Sequence, residues 1–133
     1  MKKTIQITIL CLSFSIFSCQ SIKKSYESRD YDKTVAQFTD KKKKASDEEI
    51  AMFEKAYKAA LERDKEQITT LKSLNNGDRW EEIFNLYSKI NARQNSVLRL
   101  LPVYYSNGNK ATVETFDLSA ALEESRQNSA QYY

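Results

Sequence analysis

The residues able to do chemistry are few, and their scarcity sorts the possibilities. The chain has no histidine and two cysteines, Cys11 and Cys19. Without an imidazole, the usual base that activates a serine or cysteine nucleophile is missing. The carboxylates come as adjacent pairs, Glu48-Glu49, Glu81-Glu82 and Glu123-Glu124. Neighbours on a helix point about 100° apart, so such pairs do not converge on one reacting bond. Both glycines follow an asparagine, at Asn76-Gly77 and Asn107-Gly108, and neither belongs to a loop that cradles phosphate. These features point to a non-enzyme without metal or cofactor.

Binding chemistry is better represented. Lys41, Lys42, Lys43 and Lys44 form an unbroken basic run. Such a run is either a solvated helix end answering the negative pole of the dipole or a contact for an anionic surface. Tyr104 and Tyr105 are adjacent in a β-forming stretch, so one of them faces outward and is a candidate for partner contact. Trp80 and Tyr87 fall on an apolar helical stripe and are expected in the core.

The N-terminal segment addresses location. Met1-Lys2-Lys3 is positive, and Thr4 to Phe17 is mostly apolar. About fourteen residues is too short to cross a hydrocarbon core, which needs ~20, and suits the h-region of a signal peptide. Ile16-Phe17-Ser18-Cys19 resembles the lipobox of bacterial lipoproteins, in particular envelope lipoproteins of the Bacteroidota. An aliphatic residue lies three before the cysteine and a small residue just before it; Phe17 replaces the commoner small residue between them. The resemblance covers residues 1–20. It implies removal of residues 1–18, a diacylglyceryl group on the Cys19 thiol, and usually an acyl group such as palmitate on the new amine. It also implies an outer-membrane lipoprotein, on either the periplasmic or the external side, because Gln20 offers no inner-membrane retention signal.

Processing would also change the charge and the thiol count. Losing Lys2 and Lys3 from the 21 basic residues leaves 19 against 18 acidic ones. A chain so balanced has no broad field for nucleic acid, and none is expected as a partner. Cys19 would be its sole cysteine, which excludes an intrachain disulfide and zinc sites built from His and Cys.

The elements that must position these residues are read from breakers and period. Two glycines and one proline in 133 residues favour helix. Residues 20–29 are a polar tether or a short helix. Asp30-Tyr31-Asp32-Lys33-Thr34-Val35-Ala36-Gln37-Phe38 is similar to the middle of a tetratricopeptide repeat, with Arg29 in place of the turn glycine and Thr34 in place of an alanine. Ser46 with Glu49 reads as a capping box. From Ile50 through Phe53, Tyr57, Leu61, Ile68 and Leu71 the apolar period is helical to about Leu74, with Asp64 interrupting the stripe.

Asn75-Asn76-Gly77-Asp78 reads as a stop and a start, Gly77 taking positive φ and Asp78 capping with Glu81. A second period runs from Trp80 to Leu101, and Pro102 ends it. Trp80-x-x-Ile83-x-x-x-Tyr87 is similar to the first helix of a tetratricopeptide repeat, Phe84 replacing its glycine. So short a connector folds the two helices antiparallel. Asn107-Gly108 between β-formers predicts a two-stranded hairpin, and Asp117 or Ser119 caps a last helix.

The expected fold is mainly α, antiparallel tetratricopeptide-like helical hairpins with one small β-hairpin near the C-terminal end. Residues 1–18 are the removed signal, 19–29 the lipidated tether and 30–133 the helical domain. The expected function is a membrane-anchored scaffold or adaptor for an envelope protein partner. The alternatives are direct binding of peptidoglycan or anionic lipid, and an accessory subunit of an enzyme complex.

Overall fold

Ser46 opens the longest helix as its flanking residues require. Its side chain accepts from the Glu49 N–H at 3.2 Å, and the Glu49 carboxylate accepts from the Ser46 N–H at 3.1 Å. Asp47, Glu48 and Glu49 add negative charge at the positive end of the dipole. Replacing Ser46 with alanine is expected to cost about 1 kcal/mol, measured by urea denaturation.

The structure is a computed structural model that describes residues 21–41 and 43–132. The expected signal segment (residues 1–18), Cys19 and Lys42 lie outside the described residues. Five helices are described: α1 (Ile22–Glu27), α2 (Tyr31–Thr39), α3 (Asp47–Ser73), α4 (Arg79–Leu98) and α5 (Ser119–Ala130). The expected tether therefore contains a helix, capped by Ser21, whose side chain accepts from the Lys24 N–H. Arg29 turns the chain into α2 with φ +59, a left-handed conformation. Asp30 then caps α2 by accepting from the Lys33 N–H.

α2, α3 and α4 pack mutually, α1 lies against α2 and α3, and α5 lies against α4. The hairpin of α3 and α4 is antiparallel, as contacts from Lys72 to Tyr87 and from Asp64 to Arg93 show. One core joins the elements. Phe53 is fully buried, stacks on Phe38 with ring centroids 4.1 Å apart, and is tilted against Tyr57. Truncating Phe53 to alanine is expected to cost about 3–5 kcal/mol in the same denaturation experiment, because both transfer and cavity terms are lost. Trp80 and Tyr87 are half-buried against this core.

Two local expectations are corrected at the α3–α4 connector. Gly77 is not among the residues with positive φ; it lies against the Tyr132 ring, where a Cβ would not fit. Asp78 is itself helical and makes no capping bond. The Arg79 guanidinium instead donates to the Leu74 carbonyl, satisfying the end of α3.

The expected β-hairpin is also corrected, to a turn with a single antiparallel bridge between Tyr104 and Lys110. Asn107-Gly108 makes the turn: Gly108 has φ +87 and the Asn107 side chain accepts from the Asn109 N–H. The arms exchange two backbone bonds, from the Tyr105 N–H to the Asn109 carbonyl and from the Ala111 N–H to the Val103 carbonyl. Pairing stops there, because Pro102 has no N–H and helix side chains take the next backbone groups of the other arm. Glu54 accepts from the Thr112 N–H, and Tyr57 donates to the Glu114 carbonyl at 2.9 Å. Buried Gln94 clamps Phe116, accepting from its N–H at 2.8 Å and donating to its carbonyl at 2.7 Å. The segment is an extended strap over α3 and α4. Beyond it the Asp117 carboxylate accepts from the N–H and hydroxyl of Ser119 at the start of α5.

Candidate functional site

Three features stand out: a charged network inside the helices, a basic cleft at one end of the bundle, and an apolar cleft on its flank. The network occupies the interruption in the α3 stripe. Asp64 is fully buried, and its Oδ2 accepts from Arg93 Nη2 at 2.6 Å. Arg93 also donates to Asp32 Oδ1, at 2.7 Å from Nη2 and 3.0 Å from Nε. Arg63 donates to Asp64 and Asp32, each at 2.9 Å, and Lys89 Nζ lies 3.2 Å from Asp32. One guanidinium thus links α2, α3 and α4.

The electrostatics follow from these contacts. Burial alone would raise the Asp32 carboxyl, but the Arg93 charge and bonds from Arg93, Lys89 and Arg63 outweigh it and hold Asp32 below its ordinary 3.8. A depressed folded value means that Asp32 stabilises fully above the unfolded carboxylate range. That contribution disappears as pH falls through the lower, folded value. Unfolding midpoints measured from pH 6 downward are therefore expected to drop below about pH 4, and Asp32→Asn is expected to flatten that drop. Asp64 is sealed from any substrate, so the network acts as a frame that fixes three helices.

The basic cleft brings together residues far apart in sequence. Lys41, Lys43, Lys44 and Tyr104 line an opening of about 270 Å³ whose walls include Phe38, Ile50, Leu100 and Val103. Lys41 Nζ is 3.1 Å from Glu49. Lys43 and Lys44 are exposed and form no ion pair among the described residues. The loop places these lysines beyond the end of α2, after its cap Asp40. Tyr104 is 51% exposed, making it the outward member of its pair. Tyr105 is half-buried and donates its hydroxyl to Glu54; burial first, then Glu54, pushes its phenol up to about 12. It is thus occupied within the fold.

The flank cleft was not expected from sequence. It measures about 350 Å³ and is lined by Leu61, Ile68, Tyr87, Ile90, Phe116 and Leu118, among others. Lys65 Nζ sits 5.0 Å over the Phe116 ring at its edge. The strap closes one wall, because Gln94 fixes Phe116 there. Strap contacts of this kind leave no local sequence signal.

Among the described residues, no three cysteine or carboxylate side chains gather as a metal site, and no helix is long and apolar enough to span a membrane. Comparison with family models, with curated proteins and with solved structures returns no match.

Proposed function

We propose that the chain is a membrane-anchored lipoprotein, acylated on Cys19, whose helical domain is a scaffold or adaptor for an envelope protein partner. The observation that carries the adaptor reading is the flank cleft. It is an open apolar groove on helices that a buried ion-pair network holds rigid, and apolar grooves rimmed by polar groups suit partner side chains. Residue 65 lies eighteen residues into α3, which places the groove roughly 27 Å from the start of that helix. The helical pairing is further proposed to be tetratricopeptide-like; Arg29, left-handed at the turn where the repeat has glycine, supports it.

The experiment is photo-crosslinking in cells from a reactive amino acid at position 116. A discrete protein adduct, reduced when Ala121→Trp fills the groove, is the expected outcome. Adducts that are absent, or unchanged by Ala121→Trp, contradict the reading.

Direct contact with an anionic surface is the second reading. It is favoured by the convergence of Lys41, Lys43, Lys44 and exposed Tyr104 on one cleft.

A further inference from the structure

Helix direction places several features at one end of the bundle. α1 and α2 are joined by only residues 28–30, and the Ser25 hydroxyl is bonded to both Thr34 and Gln37, at 3.1 and 2.7 Å. The two therefore fold back antiparallel, with the start of α1 toward the end of α2. α3 begins at the same end, where Lys23 Nζ is 3.6 Å from Glu48. α4, antiparallel to α3, stops short of that end, since the Asp64–Arg93 contact sets Leu98 roughly 18 Å along α3 from its start. The chain then continues through Leu100 and Tyr104 to line the basic cleft. Ser21, Lys41, Lys43, Lys44, the start of α3 and Tyr104 therefore share one end.

Cys19 is three residues from Ile22. An extended chain covers at most about 3.3–3.6 Å per residue, so a lipid on Cys19 is held within roughly 10 Å of α1. A tether this short cannot let the domain stand off from the bilayer.

We propose that this end of the bundle is a membrane-contact face that lies flat on anionic phospholipid headgroups, with Lys43 and Lys44 at its centre. The inference rests on the lipid-anchor reading above. Charge supports it. Lys24, Lys43 and Lys44 are exposed, and Lys23 is exposed but paired with Glu48. The acids at this end are mostly engaged: Asp47 by Ser106, Glu48 by Lys23, and Glu49 by Lys41 and the Ser46 N–H, with Asp40 exposed. Tyr104, 51% exposed, adds an aromatic side chain of the kind that settles at the headgroup level. The cleft beside it has an apolar floor and a lysine rim, matching a headgroup and the first carbons below it. The flank groove then faces sideways, free for a protein.

The test has two arms. In the first, the acylated chain is placed in phosphatidylglycerol-rich vesicles with a fluorophore on a single new cysteine, Tyr104→Cys or Leu74→Cys. Acylation consumes the Cys19 thiol, so only the new cysteine is labelled. Leu74 lies at the other end of α3, about 36 Å along the helix from Ile50, which lines the same cleft as Tyr104, and is the control. A lipid-borne quencher is expected to quench the label at 104 and spare the one at 74; equal quenching at both positions overturns the proposal.

In the second arm, the unacylated Cys19→Ser chain is sedimented with phosphatidylglycerol-rich or phosphatidylcholine vesicles. Binding is expected only to the former, and Lys43→Gln with Lys44→Gln is expected to weaken it about 30-fold, near fivefold for each lysine. Binding insensitive to lipid charge, or to both substitutions, overturns it. If mass spectrometry finds Cys19 unmodified, the anchor reading fails, while the second arm still decides the face.

Discussion

Replacing Arg93 with methionine is expected to lower the unfolding free energy by about 3 kcal/mol in urea denaturation. The side chain is buried between two carboxylates and is the single group that bonds Asp32 on α2 and Asp64 on α3 from α4. Removing it leaves Asp64 sealed from water with Arg63 alone, a partner that is itself 43% exposed. Loss of one member of a buried pair typically costs about 3–5 kcal/mol, and the surviving Arg63 contact places this case at the lower end. For a domain whose total stability is about 5–15 kcal/mol, that is a large fraction.

The double substitution Arg93→Met with Asp64→Leu is expected to cost less than Arg93→Met alone, because no charge is then left unpaired in the interior. A loss below about 1 kcal/mol for Arg93→Met would show that the network does not hold the helices.

Cys19→Ala is expected to move the protein from the membrane fraction to the soluble fraction, a change of more than about tenfold in partition. One acyl chain binds a bilayer marginally, and two or three bind it stably, so the whole effect hangs on this thiol. Among the described residues no helix replaces it, since none is long and apolar enough to span. The lysine face alone binds weakly and is released by salt, whereas acyl chains are not. Fractionation in high salt therefore separates the two contributions. Wild-type protein is expected to stay with membranes, and Cys19→Ala protein is expected to wash off.

The helices were legible in the sequence because their signals are local. The Ser46–Glu49 box, the α3 stripe and the second period after Gly77 each need only neighbours three or four residues away. What escaped depends on distant partners. Asp64 was visible as a charge on an apolar stripe, and Arg93 occupies the same kind of position between Ile90 and Val97. Two opposite charges on the facing stripes of an antiparallel hairpin are a signal for a buried pair, but the third member, Asp32, lies on another helix.

The hairpin expectation failed for a related reason. Asn107-Gly108 does turn, yet the strands it should have joined are bonded to Glu54, Tyr57 and Gln94, at separations of 22 to 58 residues. The convergence of Tyr104 with the lysine run likewise required the helix directions, which no pattern within a single segment contains.

The most direct test is mass spectrometry of the amino-terminal peptide from protein made in its own envelope. The account requires a chain that starts at Cys19 and carries a diacylglyceryl thioether. A free thiol there, or a different first residue, would contradict it.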